Sequence, residues 1–307
     1  MFEQEAPFAI QIEMTEGCPL RCDFCGINAI RGKKREYKFM TIETAYRIAQ
    51  AIERAEWNPR IEFAMHGEPT MNPERLRIIE AFRDTLGDDV YMMMLTNGVG
   101  LLADDGETLS NRIDYLFGFG MNTVALEEYS HCNAAEKIVE EYSGRYEWIH
   151  YPDEKNGNPH ARHKGRKLVL IRDIAKNVKG THAHLCNHCG CAGPLDMSYM
   201  DKRCAKPFRE MSFIWDGSVT ACCNDFKNRR LLGSINVEDD IEKLWNHPFF
   251  QAMRQRLYNW SRDFMPCYGC NFRTYRNGLL PDKTGVEYLP DINEEQKLML
   301  RVGQYEN

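Results

Sequence analysis

Cysteines carry the chemistry open to this sequence, and their spacing sorts them into sets. The first set lies in Cys18-Pro19-Leu20-Arg21-Cys22-Asp23-Phe24-Cys25, three thiols separated by three and then two residues. That spacing lets all three turn onto one small inorganic cluster. A [4Fe–4S] cube has four corners, so three thiolates leave one iron open to a substrate or cofactor. The plainer alternatives are a zinc site lacking its fourth ligand and three buried free cysteines. Zinc sites, however, normally pair a C-x2-4-C with a second pair further on.

The second set is Cys204, Cys222, Cys267 and Cys270. Between its first two members, residues 211–220 read as a hairpin with an Asp216-Gly217 turn, which brings Cys204 and Cys222 toward each other. Four thiols fit one further four-iron cluster or a four-cysteine zinc ribbon. Cys223 is an alternative ligand or a small buried residue. A third group crowds Cys186, Cys189 and Cys191 together with His182, His184 and His188. It could hold a third metal, lend a ligand to the second cluster or donate a thiol; we read it as a substrate-facing loop with redox-active or spare thiols. Cys132 stands alone and reads as inert.

The elements that must position these residues emerge from the hydrophobic pattern. Phe8 to Met14 alternates apolar and polar residues and predicts a first strand, with the first cysteine loop at its C-terminal end. In a barrel of parallel strands that end is where sites are built. After a basic loop, Thr41 caps a helix with Ile42, Ala45, Tyr46, Ala49 and Ile52 on one face. Arg60 to Met65 predicts a second strand that leads into His66-Gly67-Glu68-Pro69. Asn72 and Pro73 then open a helix with Leu76, Ile79 and Phe82 at core spacing. Val90 to Leu95 suits a strand buried on both faces, and Thr96-Asn97-Gly98 ends it. A helix with Leu109, Ile113, Leu116 and Phe117 and a strand at 122–127 come next. A helix at about 133–143 and strands at 145–150 and 167–172 complete an alternation implying a parallel sheet. The pattern changes near residue 180. Short strands, cysteines and a helical stretch from Ile241 to Tyr258, broken at His247-Pro248, suggest a small second domain.

Bulk properties set limits. At 307 residues, 43% of them apolar, the chain can hold one large domain or two modest ones. No apolar run is long enough to span a membrane, and the acidic start lacks the features of a signal peptide. Twelve cysteines in local groupings, without an export signal, read as metal ligands in a reducing cytoplasm. A net charge of −6 argues against nucleic-acid binding by the whole surface. The charge is uneven, however. From Lys155 to His184 there are eight Lys or Arg, four His and one acid, Asp173.

The first cysteine stretch resembles the C-x3-C-x-(aromatic)-C signature of the radical S-adenosylmethionine (SAM) superfamily, with Phe24 at the aromatic position. His66-Gly67-Glu68-Pro69, one βα unit later, is similar to that family's Gly-Gly-Glu-Pro motif, with His66 in place of its first glycine. The resemblance implies an open six-stranded parallel βα barrel over residues 1–180. It implies that SAM chelates the fourth iron, is cleaved by one electron, and yields a 5′-deoxyadenosyl radical that takes a hydrogen atom from substrate. It also places Gly67, Glu68 and Pro69 beside SAM, with Thr96, Asn97 and Glu127 as candidate contacts. The second set resembles a SPASM or shortened Twitch cluster domain over residues 181–275, with an extension at 276–307. Its spacing is similar to that of the radical SAM dehydrogenase of butirosin biosynthesis, which oxidises an alcohol on an aminocyclitol. Together the two resemblances imply an enzyme with a SAM-binding [4Fe–4S] cluster and one auxiliary [4Fe–4S] cluster, supplied by an electron donor such as flavodoxin or ferredoxin. It would oxidise or rearrange a polar substrate. The basic stretch, with Arg162, Lys164, Arg166 and Lys167, suggests an anionic one: a sugar phosphate, a nucleotide or a base carried on nucleic acid. A peptide-modifying radical SAM enzyme and a non-enzymatic metal-binding interaction protein are the rival readings.

Overall fold

The computed structural model of the chain describes residues 6–30, 36–103, 105–129, 131–151, 162–171 and 186–272. Strand β1 (Ala9–Ile12) leads to a short ribbon of β2 (Thr15–Glu16) and β3 (Lys38–Phe39), which flanks the cysteine loop. Helices and strands then alternate: α1 (Ile42–Arg54), β4 (Arg60–Phe63), α2 (Arg75–Leu86), β5 (Met92–Thr96), α3 (Leu109–Gly118), β6 (Thr123–Glu127), α4 (Ala134–Glu141), β7 (Trp148–Tyr151) and β8 (Lys167–Ile171). The last part holds α5 (Lys206–Arg209), β9 (Glu210–Phe213), β10 (Ser218–Thr220), β11 (Leu231–Ser234), α6 (Ile241–Trp245) and α7 (Pro248–Tyr258).

Nine of these strands form one open sheet in the order β11-β10-β9-β1-β4-β5-β6-β8-β7. The six strands from β1 to β7 in that order are parallel, with pairs such as Ile10↔Ile61 and Val124↔Leu168 in register. This is the expected open six-stranded barrel, with one exchange. β8 pairs with β6, and β7 is pushed to the edge. The side chains account for the exchange. Lys167–Ile171 reads KLVLI and buries four of its five residues, as an interior parallel strand must, whereas Trp148–Tyr151 stays half-exposed. On the other side β9 runs parallel to β1 (Ile10↔Met211) and turns back through β10. The cysteine-rich part is therefore stitched onto the barrel by backbone hydrogen bonds. The boundary expected at residue 180 and the 276–307 extension lie outside the described residues.

One apolar core runs from α1 and α2 under the sheet to α6 and α7. α1 starts where Thr41 Oγ1 accepts the Thr44 N–H at 3.2 Å, and it buries Ile42, Ala45, Ala49 and Ile52 as expected. Tyr46 does not join them and is exposed. α2 begins at Arg75, later than the Asn72-Pro73 pair suggests, because Pro69–Met71 form a separate 3-10 turn. Asn72 is instead a tie. Its buried side chain accepts the Glu74 N–H and donates to the carbonyl oxygens of Met14 and Met40, locking the loops at the C-terminal rim together. Among the described residues no helix is long and apolar enough to cross a membrane.

Candidate functional site at the C-terminal rim of the sheet

Strands β1, β4, β5 and β6 end around one half-open cleft of about 630 Å³, counted to its solvent mouth. Cys18, Cys22, Phe24 and Cys25 form one wall and His66, Gly67 and Glu68 another. Thr96, Asn97, Glu127 and Tyr129 close it from β5 and β6. Every cofactor-binding residue expected from sequence lines this cleft except Pro69, which is buried as the first residue of the 3-10 turn below it.

The glycine of His66-Gly67-Glu68-Pro69 is required by close approach. A Cβ on Gly67 would stand 2.0 Å from the Thr15 carbonyl oxygen and 2.5 Å from that of Gly17. Glu68 N–H donates to the Gly17 carbonyl at 2.9 Å, so this turn is zipped directly onto the cysteine loop. The Glu68 carboxylate lines the cleft and also ties its walls together. It accepts from the Thr70 N–H (3.0 Å) and hydroxyl (2.6 Å), from the Thr96 hydroxyl and from the Asn97 N–H (2.8 Å). It thus ties the end of β4 to the end of β5. Burial pushes its carboxyl above the usual range while those donors pull it back.

Burial also pushes the Cys22 thiol up to about 12, reinforced by Cys25, Cys18 and Glu127. Thiols gathered this closely ionise unfavourably with no cation among them, and a cluster's irons reverse that balance. Asn97 Nδ2 donates to Cys18 Sγ at 3.3 Å, and His131 Nε2 lies 3.3 Å from Cys22 Sγ. The donor set therefore suits a three-ligand iron–sulfur cluster facing the cleft. Glu127, its carboxyl raised by burial, accepts from the Tyr129 hydroxyl, and the Tyr129 ring lies 5.8 Å from that of Phe24. His131 and Tyr129 were missed from sequence. Their signal was position alone, just past the C-terminal end of a strand.

A second thiol group lies beyond the first. Cys204, Cys267 and Cys270 are buried and Cys222 is half-buried, while none of the twelve cysteines is in a disulfide. Two cations stand beside them. Arg262 is buried and donates to the carbonyl oxygens of Lys202 and Arg203 (each 2.8 Å), Phe272 (3.1 Å) and Cys270, fastening both cysteine loops. Lys206 Nζ lies 3.1 Å from Cys223 Sγ and 2.6 Å from Glu210. Burial works against the Lys206 charge, yet the Cys223 and Glu210 charges hold its ammonium well above the usual range. Buried cations beside four thiols suit a thiolate-ligated cluster. Among the described residues no three side chains are gathered as ligands of a single ion. Cys132 stays apart, bridging Tyr129 in a tight turn.

His66 joins the two sites. It is 1% exposed, with Nδ1 2.9 Å from Glu13 Oε1 and Nε2 donating to the Cys223 carbonyl at 2.9 Å. The ring of Phe226 lies tilted 4.3 Å from that of His66 and fills the space a Cβ on Gly26 of the first cysteine loop would need.

The basic residues fall elsewhere. Lys167 pairs with Thr123 at the N-terminal end of β8, Arg162 reaches the Asn58 carbonyl before β4, and Arg166 meets Tyr146. Arg162, Lys164 and Arg166 are exposed and Lys167 pairs with Glu147. They occupy the rim opposite the cleft, because the segment that carries them enters β8 from its N-terminal side. None of the four lines the cleft. The rest of the basic stretch lies outside the described residues.

A parallel sheet with a three-thiol loop at its C-terminal rim and a second thiol group beyond defines a protein built around two iron–sulfur sites. Residues 12–126 match the radical SAM superfamily, and residues 204–271 match SPASM, an iron–sulfur cluster-binding domain. The chain thus contains a radical SAM domain followed by a SPASM domain, and these two domains imply a SAM-binding [4Fe–4S] cluster and an auxiliary iron–sulfur cluster. The PqqA peptide cyclase of Ruegeria pomeroyi is 28% identical over 122 residues, 39% of this chain and 29% of that protein. The match thus spans under a third of the relative's length. BtrN in complex with AdoMet and 2-DOIA has a similar fold (TM-score 0.62, 16% identity, 88% of this chain and 94% of that one). BtrN in an open conformation is similar too (TM-score 0.59, 17% identity, 87% and 93%).

Proposed function

We propose that the chain is a SAM-dependent radical enzyme that removes a hydrogen atom from a polar substrate and completes its oxidation with the help of the second cluster. The observation that carries this reading is the cleft itself, lined by Cys18, Cys22 and Cys25, which would hold a four-iron cluster with one iron left without a protein ligand. When bound, the cluster and SAM supply one-electron chemistry that no side chain can. The chain's own residues hold that chemistry in place. Gly67 gives room for backbone to approach, Asn97 donates to Cys18, and Glu127 and Tyr129 bound the space nearest Phe24. Cys204, Cys222, Cys267 and Cys270 hold the second cluster, with Lys206 and Arg262 offsetting its charge. If all four ligate it, no iron there is open to substrate, and its role is to take an electron.

BtrN, whose fold covers nearly the whole chain, is described with AdoMet and 2-DOIA bound, and it supports a small-molecule substrate. The peptide reading has one supporting observation, the likeness of part of the chain to the PqqA peptide cyclase. A reducing compartment and a one-electron protein donor are part of the proposal.

The test is anaerobic reconstitution, then iron and sulfide counts and reduction in the presence of SAM. Wild type should hold about eight irons and form 5′-deoxyadenosine. Replacing Cys18, Cys22 and Cys25 together by Ala should leave about four irons and no SAM cleavage. Stoichiometric zinc in place of iron would defeat the reading. Deuterium passing from a labelled candidate substrate into 5′-deoxyadenosine would identify what is oxidised.

A further inference from the structure

His131 is exposed, yet its imidazole is turned onto a buried thiol. Nε2 lies 3.3 Å from Cys22 Sγ, and Cys22 is only 7% exposed. An exposed imidazole has water to bond with, so a ring aimed at sulfur is one that its surroundings aim.

The turn that carries the ring is fixed on both sides. The Glu128 N–H donates to the Ile171 carbonyl at 2.9 Å, which pins the chain to the end of β8 as it leaves β6. The Cys132 N–H donates to the Tyr129 carbonyl at 2.9 Å and closes the turn that holds His131. The Tyr129 ring, anchored by its hydroxyl on the Glu127 carboxylate, lies 5.8 Å from the His131 ring. Cys22 is fixed separately, from its own loop. Asn28 Nδ2 donates to the Cys22 carbonyl at 2.8 Å, and the Cys25 N–H donates to the same oxygen at 3.1 Å.

A thiol can donate to an imidazole nitrogen or accept from one. A sulfur bound to iron has released its proton and can only accept. With iron in place Nε2 is therefore the donor. Asn97 Nδ2 gives Cys18 Sγ a bond of the same kind at 3.3 Å. Hydrogen bonds to the ligating sulfurs draw charge from them and so favour the more negative, reduced cluster.

We propose that His131 is a positioning residue of the first cluster, donating from Nε2 to the Cys22 thiolate and raising that cluster's reduction potential. The inference rests on the proposed function, in which Cys18, Cys22 and Cys25 hold a four-iron cluster. The consequence is a cluster that a weaker one-electron donor can reduce. His131 is not among the residues lining the cleft, so it acts through Cys22 and not on SAM.

The experiment is a redox titration of the reconstituted full chain, followed by EPR of the reduced clusters. SAM marks the first cluster, because it alters the signal of the cluster with an open iron. The second cluster serves as the internal reference. His131→Phe keeps a ring against Tyr129 and removes the N–H. It should lower the first midpoint by ~59 mV, a tenfold fall in the ratio of reduced to oxidised cluster at a fixed potential. The second midpoint should stay in place. His131→Gln restores an N–H donor and should recover most of the shift. Equal first midpoints in wild type and His131→Phe overturn the proposal. So does an equal fall in His131→Gln, which would make the effect one of packing against Tyr129. Iron should remain at about eight per chain in both variants. Should His131→Phe hold less, His131→Leu gives the same comparison with a smaller side chain. A wild-type chain with no SAM-responsive signal would defeat the proposed function itself, and the inference with it.

Discussion

Cys18, Cys22 and Cys25 sit on one loop at the end of β1, whereas the thiols of the second site arrive from loops scattered between Cys204 and Cys270. The first site needs little long-range help, since the end of one strand and one short turn bring its thiols together. The second needs separate loops held at once, and buried polar side chains do the holding. Arg262 and Asn187 supply donors to backbone carbonyls that would otherwise be buried unpaired. The difference teaches that the two sites should fail independently, each through its own fastening.

The largest expected effect breaks the first site alone. Gly67→Ala drives a Cβ into the Thr15 and Gly17 carbonyls, so the cysteine loop or the β4 turn must shift. A displacement near 1 Å costs roughly a hundredfold in rate where geometry governs the chemistry. SAM cleavage should fall by about that much while second-site iron stays intact. An activity loss accompanied by loss of all iron would show that the sites are not independent.

The second effect breaks the other site alone. Arg262→Met leaves the carbonyls of Lys202, Arg203, Cys270 and Phe272 short of a donor in buried surroundings. At about 1–3 kcal/mol for each unsatisfied group, the loss of stability should exceed ~3 kcal/mol. Iron should drop toward about four per chain, the content of one cube, and a melting curve should show a lower Tm. Arg262→Lys should rescue only partly, because an ammonium cannot fork to four carbonyls as a guanidinium does.

These two variants also mark what sequence could reveal. Gly67 was legible because its motif is local and comes after a strand of readable pattern. The strands were legible for the same reason, and apolar runs such as 92–96 and 167–171 fall where expected. Arg262 was not, since a lone arginine carries no spacing and its partners lie far away in sequence. Glu68 was legible from its motif, but its partners Thr96 and Asn97, which reach its carboxylate from the next strand, were not. The exchange of β7 and β8 was hidden too, since alternation predicts strands and not their neighbours. Cys186 and Cys189 could be seen but not placed. Their turn is held by Asn187 against Gly269 and Asn271, which no spacing rule anticipates.

A third, smaller effect tests the residue that bridges the sites. His66 is buried between the Glu13 carboxylate and the Cys223 carbonyl. Burial alone would lower its pKa, but Glu13 and the Cys223 carbonyl prevail and hold it above the ordinary value. A histidine raised in the folded state adds stability that is fully present below its unfolded pKa of ~6.5 and is lost as pH rises through the folded value. His66→Gln keeps a neutral donor and removes the titration. The Tm gap between wild type and this variant should therefore be widest below about pH 6.5 and narrow as pH rises through the raised folded-state value. A gap that widens with rising pH would show that His66 is held neutral.

The smallest effect sharpens the contrast between the two rims of the sheet. Arg162, Lys164, Arg166 and Lys167 lie at the N-terminal rim, whereas the cleft opens at the C-terminal one. Charge at that distance is largely screened once it exceeds a Debye length of about 8 Å at physiological salt. Each side chain is also weakly tied. Lys167 pairs with an exposed Glu147, worth about 0–1 kcal/mol, and Arg162 and Arg166 make single long contacts at 3.4 and 3.3 Å. Changing all four to Gln should thus leave Tm nearly unchanged and the rate of SAM cleavage within about twofold, at low and high salt alike. With the true substrate in hand, KM and its salt dependence should be unchanged as well. A raised KM together with a flattened salt dependence would mean that a polyanion reaches from the cleft to the far rim, since counterion release accompanies every phosphate contacted. The substrate would then have to be large enough to touch both ends of the sheet, and the small-molecule reading would give way to a nucleic-acid-linked one.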